Sequence, residues 1–322
     1  IEPGVILAFL TYFNMILMGV MGLNRMFMMM SKANASAKRI EEVVRATEEL
    51  TPIPESEAAA PDSDDYIIFD HVDFIYDVGE TEEASEKFAG QTREKCLYDI
   101  DFRIKKGGSL GIIGATGAGK TTIINLLMRF YDANKGHIFV DGKDVRTYDK
   151  DTLHRMFGVV FQNDVIFADT LRENIAFGRD VTLEEIRRAA TDARAGEFIE
   201  AYEDTYDHRA VIHGANLSGG QRQRTLIARA LVADPEILIL DDSSSALDYK
   251  TDAALRKAIR ENHGDATTII IAQRISSIMS LDKILVLDEG RCIGYGTHEE
   301  LMQSCQMYQD IHKTQMGEYG NG

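Results

Sequence analysis

Three strings in the chain carry residues suited to phosphate chemistry. GATGAGKTT, Gly114 to Thr122, closes an apolar run, SLGIIG (109–114), and opens a helical pattern, KTTIINLLMRFY. Strand, glycine-rich turn and helix in that order make a P-loop. The backbone N–H groups of Gly114, Thr116, Gly117, Ala118, Gly119 and Thr122 can wrap phosphate oxygens, and the helix N-terminus adds its dipole. Lys120 reaches the outer phosphates and Thr121 offers a hydroxyl to Mg²⁺. The second string, EILILDD (236–242), is an apolar strand ending in two carboxylates. That is the arrangement in which Asp241 supports Mg²⁺ and Asp242 faces an attacking water.

A third string, NLSGGQRQR (Asn216–Arg224), places a hydroxyl, Ser218, and the backbone N–H groups of Gly219, Gly220 and Gln221 at the start of a helix. Such a start is an anion site suited to a γ-phosphate. With this string the sequence resembles the ABC transporter ATPases, whose signature motif is LSGGQ, and the likeness runs from about Tyr66 to Gln315. The resemblance implies an α/β P-loop fold with a RecA-like core sheet, an antiparallel β subdomain and an α-helical signature subdomain. It implies ATP and Mg²⁺ as ligands. It also implies a head-to-tail dimer, in which each signature meets the ATP held by the opposite P-loop. On the same resemblance Tyr76, in VDFIY, matches the aromatic residue that stacks on adenine. Gln162, in VVFQND, matches the glutamine joining the Mg²⁺ site to the membrane domain, and Asp248, in SALD, matches the loop that communicates across the dimer. TLRENIAFG, GTHEEL and ASAKRIEEV look like exporter half-transporters.

Two positions depart from the family pattern. Asp242 stands where the family usually has a glutamate that polarises the attacking water, and Gln273, in TTIIIAQRIS, stands where it usually has histidine. Aspartate is one methylene shorter, a displacement of about 1 Å, which can cost on the order of 10²-fold in rate. Gln273 can hydrogen-bond a phosphate but can neither take up a proton nor bear a positive charge. The expectation is a P-loop that binds ATP and hydrolyses it slowly, beside an intact signature that serves the ATP of a partner, a different half-transporter chain. Ile212 and His213, before the signature, replace the Glu-Arg common in exporters. The alternatives are a homodimeric exporter with two slow sites, and a nucleotide-gated regulatory protein without transport.

These residues need a sheet to hold them. Besides the two runs above, MFGVVFQ (156–162), TTIIIAQ (267–273) and KILVLDEG (283–290) have strand character, and helical patterns separate most of them, which predicts a mainly parallel sheet covered on both faces. YIIFDHVDFIYD and CLYDIDFRI alternate as strands, with an acidic segment, 79–95, between them read as a solvated loop of unassigned role. Thr170, Thr182 and Thr297, each followed three residues later by glutamate, mark helix starts.

The N-terminus is of another kind. Val5 to Asn24 holds no charge, and twenty residues at about 1.5 Å each span a bilayer core. Arg25, Lys32, Lys38 and Arg39 follow, which places that end in the cytoplasm. The expected organisation is the last transmembrane helix and its extension over 1–50, surrounded by lipid around residues 5–24, a linker over 51–65 with three prolines, and an ABC nucleotide-binding domain over 66–322. The resemblance adds a cell-membrane protein, multi-pass when complete, whose chain begins here inside the last of six helices and whose transported substrate cannot be named. The membrane helix argues against a soluble ATPase of translation or DNA repair. With 35 basic and 52 acidic residues, a net charge of −17, the surface is not one built for nucleic acid. Cys96, Cys292 and Cys305 are too widely spaced for a metal site and read as reduced thiols.

Overall fold

The structure is a computed structural model that describes residues 3–45, 50–76, 96–242 and 246–317. The acidic segment 79–95 lies outside the described residues. The chain divides into two units, Ile1–Thr51 and Pro52–Gly322.

The first unit is one helix, α1 (Pro3–Arg45), 43 residues long, and its most apolar window has a mean hydropathy of 2.0. It is long and apolar enough to cross a membrane. Two polar side chains within the apolar run bond back to their own helix. Thr11 Oγ1 donates to Leu7 O at 2.9 Å and Asn14 Nδ2 to Leu10 O at 3.0 Å. In hydrocarbon, such bonds would avoid the cost of an unsatisfied donor.

In the second unit ten strands form one sheet: β1 (Ile67–Phe74), β2 (Leu97–Ile104), β3 (Ser109–Gly114), β4 (Lys135–Val140), β5 (Lys143–Asp144), β6 (Phe157–Val160), β7 (Ile237–Asp241), β8 (Thr267–Ile271), β9 (Lys283–Asp288) and β10 (Arg291–Gly296). Their order is β5-β4-β1-β2-β10-β9-β3-β8-β7-β6. Strands β9, β3, β8, β7 and β6 run parallel to one another, while β2, β1, β4 and β5 pair antiparallel. The two parts meet where β10 pairs with β2 at a single register, Arg291 with Tyr98. Pro52–Asp65 is attached to this unit through Ile53 N, which donates to Arg146 O at 2.9 Å, and through the Asp62–Arg103 ion pair at 2.8 Å.

The alternation of strand side chains sorts the core into two faces. Ile237 and Ile239 of β7 join Ile112 of β3 and Ile269 and Ile271 of β8 against α2 (Lys120–Leu127), which buries Ile123, Ile124, Leu126 and Leu127. Leu238 and Leu240 face the other way. They pack with α4 (Leu171–Ala176), α5 (Leu183–Asp192), α7 (Gly219–Leu231) and α8 (Tyr249–Asn262). A third cluster joins Ile270, Ile275 and Val286 to Leu301 of α9 (His298–Ser304) and Tyr308 of α10 (Gln306–Gly317). The short helices α3 (Lys150–Arg155) and α6 (Gly196–Ile199) complete the unit.

Side-chain caps fix where the helices begin. Thr182 and Thr297 each make a reciprocal capping box with the glutamate three residues on, and Thr170 accepts from Glu173 N without the return bond. Ser218 with Gln221 makes another box at the start of α7, and Asp248 caps α8. Each cap contributes about 1 kcal/mol.

Candidate functional site

The C-terminal ends of β3, β7 and β8 and the turn after β9 converge on one open cavity of about 820 Å³. The loop between β3 and α2 forms its floor. Two glycines there have no substitute: a Cβ on Gly114 would sit 2.2 Å from Leu287 O, and Gly119, at φ 98°, would drive one to 2.6 Å from Leu97 Cδ2. The chain therefore turns tightly from strand to helix and leaves the first turn of α2 facing the cavity. Lys120 Nζ lies across the loop mouth and donates to the carbonyls of Gly114 and Ala115, both at 2.8 Å.

Burial holds the Lys120 ammonium below its ordinary pKa, against the pull of Asp241 and Asp242. The carboxylates respond in the opposite sense. Asp241, 4% exposed, is raised by burial and then by the charge on Asp242, although Lys120 and the Thr121 hydroxyl, 3.5 Å from its Oδ2, lower it. Asp242 is also raised by burial, with Arg274, Lys120 and Gln273 pulling it down. Two acids kept above the usual carboxylate range in spite of Lys120 and Arg274 make a site that a further positive charge would relieve. The oxygens present, the Thr121 hydroxyl, the Asp241 carboxylate and the Gln162 amide, are hard donors of the kind Mg²⁺ takes while keeping phosphate and water as its other ligands.

Of the residues read from the sequence, Tyr76, Thr116, Gly117, Gly119, Lys120, Thr121, Thr122, Gln162, Asp241, Asp242 and Gln273 all line this cavity. Gly114 and the buried Ala118 shape the loop from within. Tyr76 reaches the P-loop helix: its hydroxyl donates to Thr122 Oγ1 at 3.1 Å and accepts from Asn125 Nδ2 at 3.3 Å, while its ring meets Phe74 and Tyr131 edge to face. Gln273 Nε2 donates to Asp242 Oδ2 at 2.8 Å. The two residues that depart from the family pattern are thus bonded to each other.

Ser218, Gly219, Gly220, Gln221 and Asp248 do not line the cavity. They belong to a separate corner, where the first turn of α7 lies against Ala246 and Leu247. Ser218 Oγ accepts from Gln221 N at 3.2 Å, and Asp248 accepts from Thr251 N and Thr251 Oγ1 at 2.9 and 2.6 Å, which hold its carboxyl below the usual range. Sequence reasoning missed one wall of the cavity altogether, made by Cys96, Tyr98, Glu289, Gly290 and Arg291. There the Arg291 guanidinium lies 4.3 Å from the centre of the Tyr98 ring. The available signal was Gly290, at the end of a strand run: at φ 76° its missing Cβ would lie 2.4 Å from Cys96 O, so only glycine allows the approach.

Comparison with known proteins agrees with this geometry. Residues 97–245 match the family model described as ABC transporter. The chain is 40% identical over 224 residues to a putative multidrug export ATP-binding/permease protein, YgaD, of Bacillus subtilis, a match covering 69% of this chain and 39% of that protein. It is 37% identical over 314 residues to an ATP-dependent lipid A-core flippase of Desulfotalea psychrophila, covering 97% of this chain and 52% of the flippase. Among solved structures, a bacterial Atm1-family ABC exporter with ATP bound superimposes with a TM-score of 0.75 at 33% identity, over 89% of this chain and 48% of that one. The chain spans about half the length, or less, of the relatives it matches. It therefore carries the ATPase domain of an ABC transporter, one with relatives of the exporter type.

Proposed function

We propose that the chain is the ATP-binding subunit of an exporter in the cell membrane, with its nucleotide-binding domain in the cytoplasm, and that its own half-site hydrolyses ATP slowly. The observation that carries the reading of a slow site is the bond from Gln273 to Asp242. In hydrolysis, a water attacks the γ-phosphorus in line with the departing ADP oxygen, and the protein's part is to place that water and stabilise the spreading charge. Lys120 and the N–H groups of the P-loop bind the phosphate oxygens. Thr121, Asp241 and Gln162 would hold Mg²⁺, which neutralises charge on the β- and γ-phosphates when bound. Asp242 would orient the water, with a carboxylate one methylene short of the usual glutamate and partly engaged by Gln273. A neutral amide at 273 contacts the γ-phosphate without supplying positive charge.

The separation of the signature from the chain's own cavity supports a head-to-tail dimer with a second half-transporter. In that assembly Ser218 and the backbone N–H groups after it serve the partner's ATP. A different chain with a regular glutamate and histidine makes the best partner, because an intact signature is useful only against a competent P-loop. Helix α1 supports placement in lipid through its length and hydropathy. The domain boundaries proposed are 1–50 for the membrane helix and its extension, 51–65 for the linker and 66–322 for the nucleotide-binding domain.

The test is equilibrium binding of MgATP to the purified full chain and its Lys120→Ala variant. Removing a charge-assisted donor to the outer phosphates should weaken binding by about 10- to 150-fold. Unchanged affinity would overturn the P-loop assignment on which the rest depends.

A further inference from the structure

Beyond β8 the chain continues through Gln273, Arg274 and Ile275 with Arg274 extended, at φ −98° and ψ 125°. An extended residue turns the carbonyl before it and the N–H after it to the same side. On that side lies Gln315, in the last turn of α10, and its amide engages both groups: Nε2 donates to Gln273 O at 2.7 Å and Oε1 accepts from Ile275 N at 2.7 Å. One side chain therefore does what a residue of a neighbouring strand would do. The helix that carries it is anchored, because Tyr308 and Ile275 are both fully buried in the cluster that Met316, next to Gln315, also packs against. From Gln273 the connection continues to the cavity through the Gln273–Asp242 bond.

We infer that Gln315 is a positioning residue for Gln273, so that the C-terminal helix sets how this half-site meets the terminal phosphate of its nucleotide. The inference rests on the reading of Gln273 as a γ-phosphate contact. Without Gln315 the backbone at 273 and 275 loses a donor and an acceptor together, and the amide at 273 can swing out of the cavity. ATP binding then suffers, whereas ADP, which has no γ-phosphate for Gln273 to meet, binds as before.

The experiment measures MgATP and MgADP affinity in the assembled transporter for Gln273→Ala, Gln315→Ala, the double variant and Gln315→Glu, with thermal melting alongside. Gln315→Ala should lower ATP affinity by about 2- to 10-fold, the range for one hydrogen bond, while ADP affinity stays unchanged. The double variant should be no worse than Gln273→Ala, because both changes remove the same contact. Gln315→Glu keeps the size and the acceptor but loses the donor to Gln273 O. It should reproduce the loss of ATP preference, and it decides the matter if Gln315→Ala fails to fold. Equal losses of ATP and ADP, or additive losses in the double variant, would overturn the inference alone. An unchanged ATP-to-ADP ratio in Gln273→Ala would overturn the γ-phosphate reading and the inference with it.

Discussion

Asp242 and Gln273 touch, and on the resemblance they stand where a glutamate and a histidine are expected. That contact makes their effects interdependent. Changing Asp242→Glu alone extends a carboxylate that Gln273 still engages, and, on the proposed role of Asp242, changing Gln273→His alone would leave the water too far from its base. Groups acting as a unit give grossly non-additive effects when altered singly. The double change Asp242→Glu/Gln273→His should therefore raise hydrolysis at this P-loop by on the order of 10²-fold, the penalty associated with about 1 Å of misplacement. Either single change should give much less. Single-turnover hydrolysis in a folded, paired complex checks this, and no gain from the double change would place the block in the opposing signature.

At the scale of elements, the start of α7 has one visible duty, capping its helix, and one proposed duty toward a partner's ATP, and one experiment can separate them. Ser218 caps its own helix through Gln221 N, so Ser218→Ala should cost about 1 kcal/mol of stability whatever else it does. Thr297→Ala removes a similar cap from α9, outside the cavity, and is the matched control. Both should lower the melting temperature, but only Ser218→Ala should depress steady-state turnover of the assembled transporter, by about 10²-fold if its hydroxyl meets developing charge. Gly220→Glu sharpens the comparison. Its Cβ finds Ala246 O at 3.4 Å and Leu247 Cδ2 at 3.6 Å, contacts the chain can absorb, so loss of activity there would come from the charge presented to a partner's phosphate. Full turnover in both signature variants would remove the dimer reading. The elements whose logic is local were legible in the sequence: the P-loop strand, turn and helix, the acidic pair at the end of β7, the threonine caps and the parallel strands all declare themselves within a few residues. The Tyr98–Arg291 wall and the Gln315 clamp did not. The first arises from pairing of β2 with β10 and the second joins a side chain to backbone 42 residues away, and no spacing rule in one sequence encodes either.

At the scale of the ATPase unit, the feature with the widest consequence is the junction between the parallel and antiparallel parts of its sheet. They share an apolar core, in which Phe69 and Phe102 sit with Ile112 and Ile239, but the backbone joins them at one register, reinforced by the bond from Tyr98 N to Gly290 O at 2.8 Å and by the Tyr295 hydroxyl on Arg103 O. Dispersion contacts tolerate small sliding, whereas a run of ladder bonds does not, so the sheet should open more readily at this junction than between the strands of its parallel part. The cavity lies across it, with Tyr76 and Tyr98 on one bank and the P-loop and Arg291 on the other. A nucleotide held by both banks would act as a staple. In amide hydrogen exchange the N–H of Tyr98 should exchange faster in the empty protein than the amides of β3, which has a partner strand on each side, and should slow when MgATP binds. Occupancy would then be written into the local opening free energy of the sheet, and the empty and filled domain would differ in how they breathe as well as in what they hold.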